Sequence, residues 1–349
     1  MSHALSLAET LAKEGNLPDQ NLLELIRDRD PETAGFLKEQ AAARRDEIYG
    51  RHVYIRGLIE FTNYCKNNCY YCGIRRGNGR AERYRLTREE ILECCQEGYG
   101  LGFRTFVLQG GEDPWYDDDR LEEVVRAIRE RYPDCAITLS VGERPRESYE
   151  RLFAAGADRY LLRHETASES HYGMLHPREM SFSHRMECLN TLRDIGYQTG
   201  CGMMVGTPGQ TWEDLVEDLR FMKEFRPHMV GMGPFLSHKD TPFRGEKSGT
   251  AELTLYLLAI VRLMLPETLI PATTALGTAE EGGRRQGILW GANVVMPNLS
   301  PKAVRSKYML YDNKLSSGSE AAESLYLLKQ EMESIGFEIT VARGDSRMV

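Results

Sequence analysis

The chain has 349 residues, 41% hydrophobic and 28% charged, with a formal net charge of -8. That is the composition of a soluble globular protein with ample length for a large core. No apolar run approaches the ~20 residues that span a bilayer, Met1 to Lys13 lacks the apolar stretch of a secretory leader, and the negative balance argues against nucleic acid as the main partner. Residues 4–48 read as two or three polar helices. From residue 50 onward an apolar strand alternates with an amphipathic helix. The pattern predicts strands over 53–61, 104–109, 135–141, 158–164, 198–205, 228–235, 268–274 and 292–296. It predicts helices near 87–100, 118–131, 145–155, 182–195, 211–225, 251–264 and 280–289, and a last helix near 319–335. Eight such units predict an α/β fold of the (β/α)8 barrel type. An open doubly wound sheet would normally carry a phosphate-type glycine loop after its first strand, and here a cysteine loop stands there instead. The expected organisation is a helical extension over 1–49, a barrel over 50–312 and a short helix/strand tail over 313–349 that closes the barrel, with Ser316 to Ser319 as a linker-like patch.

That loop reads Cys65-Lys-Asn-Asn-Cys69-Tyr-Tyr-Cys72. Its spacing supplies three thiolates and no fourth, whereas a closed structural zinc or iron–sulfur site takes four protein ligands. Three thiolates leave one iron of a cubane [4Fe–4S] cluster open to a small molecule. A zinc reading would need a ligand from elsewhere, for which His52 and His164 are candidates, yet no second ligand pair is present in the sequence. Cys94, Cys95, Cys135, Cys188 and Cys201 lack the spacing of a disulfide framework, which points to a reducing cytoplasm.

Chemistry in such barrels sits at the C-terminal ends of the strands. The unusual residues fall there: Cys65 after the first strand, Gly110-Gly111-Glu112-Asp113 after the second, Ser140 to Glu143 after the third, Arg163 to Thr166 after the fourth, Gly206 to Gly209 after the fifth and Thr273-Thr274 after the seventh. Side chains alternate along a strand, so Arg159, Arg163 and Glu165 share a face with Leu161. Arg56 and Glu60 share a face on the first strand, and Gln109, Thr138 and Ser140 add polar groups on the next two. Guanidinium groups inside a barrel need an anion or a counter-ion. The pattern therefore leaves two readings: a structural Arg–Glu network, or a polar cavity for an anionic substrate. Gly110 and Gly111, without Cβ atoms, let backbone approach a ligand closely.

The cysteine spacing, with an aromatic residue, Tyr71, just before the last cysteine, resembles the radical S-adenosylmethionine (SAM) superfamily. That resemblance implies SAM bound to the open iron and reductively cleaved to a 5′-deoxyadenosyl radical. Within it, Leu108-Gln-Gly-Gly-Glu-Asp-Pro114, Ala157 to Thr166, Met204 to Thr211, Val230 to Phe235, Ile270-Pro-Ala-Thr-Thr274 and Gly291 to Asn298 resemble the HydE family of [FeFe]-hydrogenase maturases, over roughly residues 50–312. The family likeness implies that Cys65, Cys69 and Cys72 hold the cluster. Tyr71, Gly110, Gly111, Ser140, Glu165 and Arg185 are implied to contact SAM, with the Gly202 to Gly209 stretch near adenine. Arg56, Gln109, Thr138, Arg159, Arg163, Met229, Thr273, Thr274, Met296 and Tyr311 are implied to surround substrate, an anionic iron–carbonyl–cyanide–cysteine unit. By the same likeness the sister enzyme HydG delivers it, the scaffold HydF receives product, and an electron donor is required. No cysteine follows Cys201, so the C-terminal auxiliary cluster of some members is not expected, and Gly110 stands where a serine is common. The alternatives are a radical enzyme on a small amino acid, like the methylornithine synthase PylB, biotin synthase, for which auxiliary ligands are lacking, or a non-catalytic iron–sulfur protein.

Overall fold

The computed structural model describes residues 2–348. Its centre is a ring of parallel strands. Its members are β1 (His52–Ile55), β2 (Gly57–Thr62), β3 (Thr105–Gly110), β4 (Ala136–Ser140), β5 (Arg159–Leu161), β6 (Gln198–Cys201), β7 (Met204–Val205), β8 (Met229–Val230), β9 (Gly233–Pro234) and β10 (Val294–Val295), while β11 (Glu338–Thr340) lies outside it. A six-stranded sheet runs β2-β3-β4-β5-β6-β8, and β10 pairs with β1. Isolated bridges Met229 to Leu269, Pro271 to Val294 and Leu58 to Asn298 complete the circuit. Every strand segment expected from the sequence takes its place in the ring. The strand interiors are buried and read as near-continuous apolar runs, because helices cover the outer face.

The strands are shorter than their apolar runs. The expected strand 268–274 is reduced to bridges at Leu269 and Pro271, and a helix starts at Thr274. Pro271 has no N–H to give a ladder. The expected strand 158–164 ends at Leu161. Four residues on, Glu165 adopts φ 68°, a left-handed conformation that breaks the alternation of faces. At Gly202 a Cβ would stand 1.9 Å from the Gly231 carbonyl oxygen, so only glycine lets these neighbouring strands approach so closely. The last helix covers Leu325–Glu333, preceded by two 3-10 turns. Helix Glu169–Leu175 was not legible in the sequence, whereas β11 supplies the strand of the expected C-terminal helix/strand tail.

Helix starts follow their caps. Thr87 with Glu90, and Thr211 with Asp214, form reciprocal capping boxes. Helix Ala251–Met264 buries 13 of its 14 residues. An apolar helix of this kind needs cover on its outer side. The N-terminal helices His3–Glu14, Asp19–Arg27 and Pro31–Tyr49 supply it, with Leu7, Leu11, Leu22, Leu25 and Leu37 in the core. Among the described residues no helix is long and apolar enough to cross a membrane.

The chain ends by closing the bottom of the barrel. After β11 pairs with β1, the tail turns under the N-terminal ends of β3, β5 and β6. Asp345 meets the wholly buried Arg159 at 2.5 Å and accepts a hydrogen bond from Gln198 at 3.0 Å. Arg159 also donates to the Thr105 hydroxyl and the Arg343 carbonyl. Burial alone would raise the Asp345 carboxyl, but Arg159, Gln198 and Arg343 outweigh it and hold it at about 2. Asp345→Asn leaves the Arg159 charge buried without a carboxylate. The side chain of Asp345 is 40% exposed, so the expected loss at pH 7 is about 1 kcal/mol, well below that for a fully buried pair, or roughly 2–4 °C in Tm. A depressed carboxyl stabilises the fold above its unfolded pKa, so the gap between native and variant chains closes as pH falls from about 4 towards 2. Equal melting at pH 7 would show that this pair contributes nothing.

Candidate active site

The cysteine loop follows β2 and is held by polar groups rather than by a core. Asn63 donates to the Glu82 and Lys307 carbonyls at 2.8 and 2.7 Å and accepts from the Tyr84 N–H. The Arg83 guanidinium donates to four carbonyls, those of Asn63, Ile74, Arg75 and Asn78. Gly73 N–H donates to the Leu310 carbonyl, and a Cβ at Gly73 would lie 2.1 Å from the Met309 carbonyl oxygen. The loop is thus clamped between its own return and the segment 308–311.

Cys65, Cys69 and Cys72 are half-buried and face one cavity of about 280 Å³ at the C-terminal end of the barrel. Burial pushes all three thiols up, Cys72 to about 12, and the neighbouring thiols add to the effect at Cys69. They hold their protons at neutral pH unless a cationic centre replaces them. Three thiols on one cavity wall, with no histidine among them, fit the three-thiolate donor set that would hold a cubane [4Fe–4S] cluster. The zinc reading loses both its candidates. His164 is buried against Asp218 at 3.1 Å, and His52 is exposed on β1, so neither lines the cavity.

The same cavity brings together most of the residues expected to hold SAM. Tyr71, Gly110, Gly111, Ser140, Glu165 and Arg185 all line it. At Gly111 a Cβ would lie 2.2 Å from the Tyr64 carbonyl oxygen, so the glycine is what lets β3 end against the cysteine loop. Arg185 bonds Glu143 at 2.5 Å and the Arg163 carbonyl at 2.6 Å. Its burial works against the charge, but Tyr172 and Glu143 outweigh that and keep the guanidinium charged. Of the stretch Gly202 to Gly209, Met204 lines the cavity and the glycines do not.

The residues expected around substrate divide into two tiers. Gln109, Arg163, Thr273 and Tyr311 line the cavity, with Arg163 paired to Glu165 at 3.0 Å. Arg56, Thr138, Arg159, Met229 and Met296 do not; they sit among the buried or half-buried residues of the barrel away from it. Thr274 turns aside and donates to Glu320. Arg159, expected to face an anion, is committed to Asp345. Arg56 is different. It is 4% exposed, its Nη1 lies 2.9 Å from the Met229 sulfur, and its Nε and Nη2 are buried with no hydrogen-bond partner. The Thr138 hydroxyl is likewise buried and unbonded. Burial and the neighbouring Arg159 both pull the Arg56 guanidinium well below its ordinary value.

Sequence reading missed the roof. Tyr308 and Leu310 line the cavity beside Tyr311, and Lys314 crosses to Glu60 at 2.5 Å with both side chains buried. The one signal was the aromatic spacing of Tyr308 and Tyr311. It also missed Glu143 as the partner of Arg185, although that residue closes the third strand-end segment. Cys201 lies in the apolar core and not on the cavity wall, so it offers no auxiliary ligand there.

The model of the radical SAM superfamily matches residues 59–222. The [FeFe] hydrogenase maturase subunit HydE of Thermotoga maritima is 50% identical over 271 residues, 78% of this chain and 77% of that protein. The 3-methylornithine synthase of Methanosarcina barkeri is 31% identical, over 92% of this chain and 90% of that one. A solved methylornithine synthase, PylB, superposes with a TM-score of 0.85 at 29% identity, covering 96% of this chain and 97% of that chain. With the three thiols of the superfamily facing one cavity at the mouth of its barrel, and half of the 271 aligned residues shared with a maturase, this chain belongs to the radical SAM superfamily and within it is a HydE-like enzyme.

Proposed function

We propose that this enzyme acts in assembly of the diiron site of [FeFe] hydrogenase, on a small anionic iron complex bearing carbonyl, cyanide and cysteine ligands. HydG would supply that complex and HydF receive the product. The observation that carries the substrate class is Arg56. The other lumen charges have partners: Arg159 with Asp345, Arg163 with Glu165, Arg185 with Glu143 and Glu60 with Lys314. Arg56 has no carboxylate partner among the described residues, and two of its nitrogens await an acceptor. A buried, unmatched guanidinium is costly until an anion reaches it.

Bound at the open iron of a [4Fe–4S] cluster, SAM would supply a 5′-deoxyadenosyl radical. The chain's own residues would position it. Cys65, Cys69 and Cys72 would hold the cluster, with Tyr71 beside it. The backbone at Gly110 and Gly111 would take the methionine amino end, and Ser140, Glu165 and Arg185 its remaining polar groups. Gln109, Arg163, Thr273 and Tyr311 would hold substrate below SAM, with Arg56 and Thr138 taking its charge deeper in the barrel. Tyr308 and Leu310 would keep water out. No auxiliary cluster is included in this reading, and a reducing cytoplasm is the compartment it requires. A second reading has support in the length of the methylornithine synthase likeness: an amino acid carboxylate would also satisfy Arg56.

Three measurements test the proposal. Cys69→Ser is expected to abolish both SAM cleavage and the cluster, and the unaltered chain to take up about four irons after anaerobic reconstitution; an intact cluster in the variant would refute the ligand assignment. Arg56→Met is expected to weaken substrate binding about tenfold or more, the loss of a charge-assisted hydrogen bond of about 1.5–3 kcal/mol, while SAM cleavage without substrate persists. Unchanged affinity would remove the anion argument. Third, a maturation mixture of purified HydF, HydG and apo-hydrogenase is expected to yield hydrogen evolution only when this protein is added. Equal evolution without it, together with conversion of lysine, would favour the amino acid reading.

A further inference from the structure

The segment that leaves helix Glu169–Leu175 runs along one side of the cysteine loop. Tyr70 N–H donates to the Leu175 carbonyl at 3.0 Å, the Tyr71 hydroxyl lies 3.3 Å from His176 Nε2, and the Met180 sulfur stands 3.7 Å from Cys69 Sγ. His176 is at the centre of these contacts. It is 2% exposed, its ring stacks on Tyr172 with centroids 3.9 Å apart, and it meets the Tyr71 ring edge to face at 5.5 Å. Its Nδ1 lies 3.0 Å from the Tyr172 carbonyl, which can only accept, so Nδ1 carries the proton. Nε2 of the neutral ring is then an acceptor, and the Tyr71 hydroxyl donates to it. Burial, and after it the Arg185 guanidinium, keep the ring neutral by lowering its pKa to about 3. The Tyr172 carbonyl also takes the His176 backbone N–H, so His176 ends the helix. That capping role uses the backbone N–H and Nδ1. The bond from Tyr71 to Nε2 has no part in it.

We propose that His176 is a positioning residue for SAM: it fixes the direction of the Tyr71 ring before SAM arrives. The inference rests on the placing of SAM in this cavity proposed above. Tyr71 lines the cavity and is only half-buried. A tyrosine on an open wall has two torsions to lose when a ligand packs against it, and that loss is subtracted from affinity. Here the hydroxyl end of the ring is tethered to a buried imidazole that is itself held at both nitrogens. Tyr71 has therefore given up that freedom in the empty enzyme, as a preorganised binding wall requires. His176 does not line the cavity, so it acts on SAM through Tyr71.

The test is a double-mutant cycle on the reconstituted holoenzyme: the unaltered chain, Tyr71→Phe, His176→Leu and the two together. SAM binding is measured by calorimetry with the cluster oxidised, so that SAM binds without being cleaved, and iron per chain is counted in each protein. Each single change is expected to raise the Kd for SAM about three- to tenfold, the loss of one neutral hydrogen bond. The double variant is expected to bind no more weakly than the weaker single one, because both changes remove the same bond. After reduction with dithionite, KM for SAM is expected to rise in step while the rate at saturating SAM stays within about twofold. His176→Gln, whose amide oxygen can accept from Tyr71, is expected to restore most of the affinity. Unchanged Kd in His176→Leu at full iron content, losses that add in the double variant, or no rescue by His176→Gln would overturn the positioning role. Should His176→Leu fail to hold its iron, Tyr71→Phe decides: SAM affinity equal to that of the unaltered chain would overturn it. In each of those cases SAM binding by the unaltered holoenzyme leaves the placing of SAM in the cavity standing, whereas no binding by that holoenzyme would overturn both.

Discussion

A charge inside a barrel loses several kcal/mol of hydration, and the fold has to replace that hydration with something of opposite sign. Most of this molecule's irregular features follow from that constraint. Arg159 sits on a short strand at the barrel floor, and the carboxylate that matches it comes from Asp345, 186 residues later. Glu60 lies in the middle of β2 with no exposure at all, and its match is Lys314. Both partners belong to the C-terminal segment. That segment is therefore part of the lumen's electrostatics, and the barrel charges and the tail must form together.

The same segment shapes the cavity. Lys314 is drawn inward to Glu60, which lays residues 308–311 across the cysteine loop, where Gly73 has no side chain to obstruct them. Tyr308 and Tyr311 then face the strand ends from above. One buried ion pair thus fixes a roof over the reaction space. Exclusion of water matters there in two ways. It strengthens every charge interaction inside, and it keeps a reactive species from side reactions.

The ring of strands was legible because apolar runs alternate with amphipathic helices, a pattern set by burial on both faces. The cysteine loop and the strand-end glycines were legible because their spacing is itself the chemistry. What the sequence could not give was pairing. Alternation along the fourth strand put Arg159, Arg163 and Glu165 on one face, and treated the arginines as equals. In the fold Glu165 leaves the extended region and turns back on Arg163, while Arg159 faces the floor and meets Asp345. Arg163 takes its carboxylate from two residues along the chain, but Arg159 takes its own from 186 residues away, and no local pattern carries that second pairing. The roof was missed for the same reason: segment 308–314 has no periodicity, and its position comes from a partner more than 200 residues away.

Among the described residues, Arg56 is the lumen cation without a carboxylate partner, and it is informative because the others are matched so closely. Evolution of a stable barrel has no reason to keep Arg56 where its Nε and Nη2 are buried and unbonded; methionine or leucine of similar volume would stabilise the same position. In the proposed function a group that costs stability and faces the interior would act in the complex, not in the empty enzyme. Its neighbours fit that role. The Thr138 hydroxyl on β4 is a second buried, unbonded group, and the Met229 thioether beside Arg56 is soft and adaptable. The cost is offset when an anionic ligand arrives. On that proposal, binding would carry a gain that a neutral ligand of the same size cannot obtain, and the enzyme would select charge before shape.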